Sequence, residues 1–254
     1  MDSIAYAMKI QEILLPSEDF IRNTLPECFV FYQPKDIVSG DFYWLKRVGD
    51  WIYVAAADCT GHGVPGALLS TIGITQLNEI VLLRNFTKVS EILDELRKRV
   101  VELFLQNDGE RKINDGMDIA ICGLSIETKV LHYAGADNGL YLFQNIDGER
   151  KFIHIKPDKM PIGYHPNLHK PFTNHEIQLQ QGDVFYLFSD GYTSQFGGDK
   201  NETLKTKRFK ELLHCIHNEP MPKQKEIIEQ TINQWKGNQE QTDDMLVLGV
   251  RISW

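Results

Sequence analysis

The run MDIAICGLSIETKVLHYAGADNGLYLFQN, residues 117–145, sets β-branched and aromatic stretches so close together that only tight turns fit between them. A parallel strand pair needs a crossover of roughly a dozen residues or more, so strands joined this closely must pair antiparallel. The same texture recurs in FVFYQP (29–34), DFYWLKRVGDWIYVAAAD (41–58), KFIHIK (151–156) and HEIQLQQGDVFYLFSDG (175–191). Gly49-Asp50, Glu127-Thr128, Asp147-Gly148 and Gly182-Asp183 break these runs, and each break is predicted to close a hairpin. Helical periodicity is confined to blocks. Ile4, Ala7, Met8, Ile10, Ile13 and Leu14 form an apolar stripe that Pro16 stops. Further helices are expected over about 65–83, 88–106, 207–217 and 222–235, ahead of a last strand, MLVLGVRI. Such an order reads as α+β with predominantly antiparallel sheets, not as alternating βαβ units. No low-complexity linker or internal repeat divides the 254 residues, a length at which one domain buries a sizeable core.

This order decides how to read DCTGHGVPGA, residues 58–67. Its Gly61, Gly63 and Gly66 have the spacing of a dinucleotide-binding fingerprint. A dinucleotide site places those glycines at the first turn of a parallel βα unit, with an acidic residue about twenty positions on that closes the next strand. Glu79 has roughly the spacing but falls inside an expected helix, and Pro65 is ordinary helix-start chemistry. The glycines are therefore read as serving the aspartate in front of them.

Asp58 ends the apolar strand WIYVAAAD. Asp41 precedes FYW, Asp190 follows VFYLFS, and Asp243-Asp244 precede MLVLGV. Any one of these is an ordinary turn residue. Together they are acidic positions that abut β-runs and can converge on one end of a sheet sandwich. Carboxylates gathered without Lys or Arg repel one another by several kcal/mol unless cations neutralise them. Hard oxygen ligands in that number suit Mg2+ or Mn2+.

Composition removes other classes. A net charge of −8 argues against a nucleic-acid surface. Four cysteines without a C-x-x-C pair fit a reducing, cytoplasmic setting. No apolar run is long enough to span a bilayer, and residues 1–15 lack a signal-peptide pattern, so direct membrane insertion is not expected.

The segments DIVSGDFYW, DCTGHGVPGALLS, LFSDGYTSQFGG and QTDDMLVLGV resemble, in order, the successive motifs of the metal-dependent PP2C-type (PPM) serine/threonine phosphatases. The bacterial SpoIIE/RsbU-like branch is the one they resemble most, over about residues 30–252. That resemblance implies a PP2C-like sandwich of two antiparallel β-sheets flanked by helix pairs over residues 17–254, preceded by a linker or switch helix at 1–16. It implies two ions, Mn2+ or Mg2+. Asp58 would bridge both, Cys59 would offer its main-chain carbonyl to the first, and Asp190 and Asp243 would hold the second. Asp244 would lie just behind them, and Asp41 would hold the metal or its waters. His62 would donate a proton to the leaving group or position a phosphate. A third ion would use Asp115 or Asp118. The chain departs from the family in offering only Lys35 where eukaryotic members hold phosphate with an arginine, which leaves the phosphate to the metals. It also reads AGADNGL where many bacterial relatives read AGHNPP.

The implied reaction is hydrolysis of phosphoserine or phosphothreonine on a protein by a metal-activated water. In this branch the substrate would be a STAS-domain anti-sigma antagonist acting in partner switching. A catalytically weak scaffold that binds phosphoprotein is the alternative. A two-metal nuclease is disfavoured by the acidic balance. Cys59 mimics a cysteine-phosphatase loop, but Pro65 stands where that loop needs arginine. His165 and His169 in HPNLH are read as a surface loop rather than a zinc site. KTKRFK, 205–210, is read as a solvated face that could guide an acidic partner. The stripe at 4–14 is too short to be stable alone. It packs on its own domain, or it joins an upstream sensor and pairs with its copy in a homodimer.

Overall fold

The computed structural model describes residues 3–83, 86, 88–105 and 115–254. Two helices open the chain, α1 (Ser3–Leu14) and α2 (Glu18–Thr24), followed by strands β1 (Cys28–Gln33), β2 (Phe42–Val48) and β3 (Trp51–Cys59). Helices α3 (Gly63–Leu83) and α4 (Val89–Leu105) come next; Gln106, included in the expected helix, lies outside the described residues. Strands β4 (Met117–Ser125), β5 (Val130–Ala136), β6 (Leu140–Ile146), β7 (Glu149–Ile155), β8 (His175–Gln178) and β9 (Val184–Phe188) form the middle of the chain. A single turn α5 (Gly191–Ser194), a small ladder of β10 (Phe196–Gly197) and β11 (Glu202–Thr203), helices α6 (Lys205–Ile216) and α7 (Met221–Lys236), and strand β12 (Met245–Arg251) complete it.

The strands form two antiparallel five-stranded sheets, ordered β2-β3-β4-β5-β8 and β1-β12-β9-β6-β7. Period-2 alternation explains the layers. In β3, Ile52, Val54 and Ala56 point between the sheets, where they meet Leu142, Leu187 and Leu248 of the other sheet. Tyr53, Ala55 and Ala57 point outward, into a core shared with Leu77, Leu93 and Leu96 of α3 and α4. On the far side, Phe29, Tyr186 and Val247 meet Phe209, Leu213 and Ile228 of α6 and α7. A strand covered on both faces reads as a continuous apolar run, which is why WIYVAAA shows no polar alternation.

Three of the four predicted hairpins form: β2–β3, β4–β5 and β6–β7. The fourth does not. Across Gly182-Asp183 the chain leaves one sheet, at β8 beside β5, and enters the other at β9. Asp183 is fully buried there and accepts N–H bonds from Gln180 (2.9 Å) and Asn145 (3.0 Å). It therefore anchors a change of sheet rather than an exposed turn. Helix α2 also lies outside the predicted elements. Its signal was present in Ser17, whose side chain accepts the Phe20 N–H, followed by Glu18 and Asp19 in the first turn.

Candidate active site

The inward ranks of strands from both sheets end together. In β3 the series Ile52, Val54, Ala56 continues as Asp58. In β4, Leu124, Cys122 and Ala120 are followed by Asp118, which pairs with Asp58 across the ladder. In β12, Val250, Leu248 and Leu246 lead back to Asp244, and in β9, Phe185 and Leu187 lead on to Ser189. Apolar packing stops at one end of the sandwich, and the same side-chain rank goes on as acids and a hydroxyl.

A cleft of about 380 Å³ opens there, lined by the carboxylates of Asp58, Asp118, Asp190 and Asp243, with Cys59, Thr60, Gly61, His62, Gly116, Met117 and Pro161. No Lys or Arg is among its described lining residues. The charges raise one another. Burial first, and then Asp190, Asp243 and Asp118, push Asp58 up to about 8, against a smaller opposing effect of the Asp190 backbone N–H bonded to it. Asp118 is raised to about 6 by burial, Asp137 and Asp190, with Lys159 opposing. Asp190 is raised by burial and by Asp243.

Asp41 and Asp244 lie beneath the cleft, 1% and 2% exposed. Asp41 accepts a hydrogen bond from the Ser189 hydroxyl, whose oxygen in turn accepts the Leu246 N–H at 3.0 Å. This buried bond ties the two sheets together under Asp58. Burial and the Asp58 charge hold the Asp41 carboxyl well above the usual carboxylate range. Asp244 accepts the N–H groups of Lys35 and Gly40, both at 2.7 Å, and so fixes the loop between β1 and β2. Of the two further acids, Asp118 lines the cleft and Asp115 does not.

The glycine turn after Asp58 is built for close backbone approach. Gly61 and Gly63 have φ of 84° and 64°, and a Cβ on Gly66 would overlap the Gly61 carbonyl. That is what the fingerprint spacing encodes. His62 lines the cleft, with Nδ1 2.7 Å from Asp36 and Nε2 3.1 Å from Lys35. His165 accepts the Asn167 N–H within its loop, and Lys205 and Arg208 of KTKRFK pair with Glu202. Ser189, Asp36 and Gln11 escaped the sequence reading. Counting the period-2 rank one step past Leu187 would have found Ser189.

Cys59 is 3% exposed and packs in the α3–α4 core, where burial and then Asp58 push its thiol far above the ordinary range. A thiol held protonated is no nucleophile. Cys59→Ala is expected to keep kcat within about threefold while costing roughly 1–2 kcal/mol of stability, the price of a small core cavity. Steady-state kinetics beside a thermal melt check this, and loss of turnover in a folded variant would give the side chain a chemical role.

Among the described residues, no three His, Cys, Asp or Glu side chains close as a ready-made metal cage. An open acidic cleft suits Mg2+ and ions like it, which keep several waters and take only one or two protein carboxylates each. The donor set fits such ions.

A two-sheet sandwich with helices on both outer faces and acids converging at one end defines a PP2C-type serine/threonine phosphatase domain. The chain belongs to the SpoIIE family: the profile of stage II sporulation protein E matches residues 49–253. The solved SiaA-PP2C domain of Pseudomonas aeruginosa superposes with a TM-score of 0.87 at 29% identity, over 99% of this chain and 96% of that one. The phosphatase domain of Bacillus subtilis SpoIIE, solved with a fragment of its regulatory domain, gives 0.70 at 18% identity, over 89% of this chain and 61% of that one. The RsbU and RsbW domains of a Mycobacterium tuberculosis protein give 0.66 at 19%, over 90% and 61%. No curated protein matches the sequence.

Proposed function

We propose that the chain removes phosphate from phosphoserine or phosphothreonine on a partner protein in a Mn2+- or Mg2+-dependent reaction. The observation that carries this reading is the convergence of Asp58, Asp118, Asp190 and Asp243 from both sheets on one cleft without a described Lys or Arg in its lining. Asp58, Asp190 and Asp243 would hold two ions, with the Cys59 main-chain carbonyl, and Asp118 would serve a third. When bound, such ions lower the pKa of a water and neutralise the phosphoryl charge. The protein's own contribution is to fix these carboxylates. Asp41 and Ser189 brace the floor across the two sheets, and Asp244 holds the 35–40 loop. A solved RsbX complex with magnesium, of the same fold at 14% identity, supports the choice of ion.

The substrate we assign is a STAS-domain anti-sigma antagonist, a reading supported by the pairing of RsbU and RsbW domains in the mycobacterial protein. A cytoplasmic location is part of this reading, supported by the four free cysteines; among the described residues no helix is long and apolar enough to cross a membrane. Residues 1–16 form the junction to a sensor or to a second copy. Tyr6, Ile10 and Ile13 are 59%, 47% and 81% exposed on α1 and support that role.

Phosphate release from an aryl phosphate and a phosphoserine peptide, with Mn2+, Mg2+ or chelator, tests the reading. Turnover with either metal and none in chelator is expected. Cleavage of bis-p-nitrophenyl phosphate instead would make it a phosphodiesterase, and phosphopeptide binding without turnover would make it a scaffold.

A further inference from the structure

The four acids of the cleft are held in two different ways. Asp58 and Asp118 lie within β3 and β4 and pair across a regular ladder. Asp190 and Asp243 have no ladder. Asp190 follows β9 and opens the single turn α5, while Asp243 lies in segment 237–244, which belongs to neither helix nor strand. The two segments touch, since a Cβ on Gly191 would overlap the Asp244 carbonyl. One side chain bonds them together. Gln195, at the end of α5, is fully buried. Its Oε1 accepts the Thr242 N–H at 3.0 Å and its Nε2 donates to the Glu240 carbonyl at 2.9 Å, so the carboxamide grips the backbone on both sides of Gln241. The same nitrogen donates to the Phe196 carbonyl at 2.9 Å. The Gln195 main chain is fixed in turn, because its carbonyl accepts the Trp235 indole N–H and the Leu204 N–H, both at 3.0 Å. Gln241 completes the arrangement by donating to the Asp243 and Gln33 carbonyls, each at 2.8 Å.

We infer that Gln195 is a positioning residue for the metal centre, setting the separation of Asp190 and Asp243 by tying α5 to residues 240–242. This role rests on the metal-dependent phosphatase reading, in which those two aspartates hold the second ion. The Gln195 carboxamide reaches Phe196, Glu240 and Thr242 and no part of β3 or β4. Its loss therefore falls on the ion that Asp190 and Asp243 share, while the ion at Asp58 and the Cys59 carbonyl keeps its ligands. An apolar side chain of the same length removes the partners of the Thr242 N–H and the Glu240 carbonyl, and the segment must move to regain them. Residues that orient ligands without touching the metal are worth about tenfold to a hundredfold in affinity.

Calorimetric titration of Mn2+ into the metal-free full chain tests this in Gln195→Met and Gln195→Glu, beside a thermal melt in chelator and the spin-resonance spectrum of bound Mn2+. Tyr192→Phe is the control. Tyr192 lies on the same turn, and its buried hydroxyl donates to the Ile228 carbonyl at 2.9 Å, so its loss costs stability without touching 240–242. Gln195→Met is expected to weaken one of two Mn2+ sites by about tenfold or more and to leave the other within about threefold. Gln195→Glu keeps the acceptor for the Thr242 N–H and loses the donor to Glu240, so the same site should weaken by less. Turnover of a phosphoserine peptide should need correspondingly more Mn2+ and recover at saturation. Tyr192→Phe should lower the melting temperature and leave both sites unchanged. Two unchanged Mn2+ affinities in a less stable Gln195 variant would reduce the side chain to packing and overturn the assignment, as would equal weakening of both sites. If Gln195→Met does not fold, Gln195→Glu decides by the same criteria. If the unmodified protein binds two Mn2+ ions yet hydrolyses no monoester, the phosphatase reading fails while the titration still decides for or against Gln195. If it binds no Mn2+ at all, both fail.

Discussion

Asp58→Asn is expected to lose at least about a thousandfold in turnover and yet, in chelator at pH 8, to melt at a higher temperature than the unaltered protein. The first half follows from the proposed bridging role. The second follows from electrostatics. Without cations, burial and then the neighbouring acids raise Asp58 from 3.8 to about 8. A carboxyl with a raised folded pKa binds its proton more tightly folded than unfolded. Below about pH 4 both states are protonated and nothing is lost. As pH rises toward 8 the unfolded chain releases the proton freely while the folded chain resists, so stability falls across that window. The deficit at pH 8 is on the order of a few kcal/mol, or roughly 5–10 °C of Tm for a domain of this size. An amide carries no charge to repel, so the variant escapes the deficit. The gap should narrow at pH 5, and Mn2+ should raise the Tm of the unaltered protein far more than that of the variant. An active Asp58→Asn, or a Tm gap that ignores pH, would contradict the assignment.

Much of this was legible in the sequence because the sandwich is built from short-range rules. Two-residue turns dictate hairpins, and alternation dictates which side chains face the interior. Asp58, Asp190 and Asp243 could be found because each sits where an apolar run stops. What could not be read are contacts that depend on two distant segments arriving together. Gly182-Asp183 has the local chemistry of a hairpin turn, and only the burial of Asp183 against Asn145 reveals that the chain changes sheets there. Asp41 is proposed to hold the metal or its waters; the hydrogen bond that fixes its carboxyl comes from Ser189, 148 residues away, which no local pattern announces. The Lys35–His62–Asp36 chain is hidden for the same reason, since it joins the loop after β1 to the turn after β3. Asp115 and Asp118 were indistinguishable by motif. The register that sets Asp118 opposite Asp58 separates them.

Removing α1, by deleting residues 1–15, is expected to lower turnover by roughly tenfold to a hundredfold and raise the Mn2+ concentration it requires. The reason is one side chain. Gln11 is 6% exposed on a helix whose Tyr6 and Ile13 face solvent. Its carboxamide clasps Ser39 from both sides, donating to the Ser39 carbonyl at 2.6 Å and accepting the Ser39 N–H at 3.0 Å. The same nitrogen donates to the Ser70 hydroxyl on α3 at 2.9 Å. Ser39 Oγ accepts the Asp41 N–H at 3.0 Å, and the Asp41 carboxyl meets Ser189. Thus α1 is two hydrogen bonds from the acid that braces the cleft floor. Gln11→Leu keeps the bulk but strands the Ser39 N–H, at a cost on the order of 1–3 kcal/mol, and leaves the Ser39 carbonyl only the Ser70 hydroxyl at 3.4 Å, which loosens the segment that carries Asp41. Gln11→Glu preserves the acceptor for the Ser39 N–H and loses both donors, so its defect should be distinct from that of Leu. If α1 also pairs copies through Tyr6, Ile10 and Ile13, the deletion will shift sedimentation toward monomer while Gln11→Leu will not. Helix pairing and floor geometry are then separable: the deletion changes both, and the point variant changes only metal requirement and turnover. A truncated protein with the same oligomeric state and the same Mn2+ requirement would reduce α1 to ordinary packing and end its role as a switch.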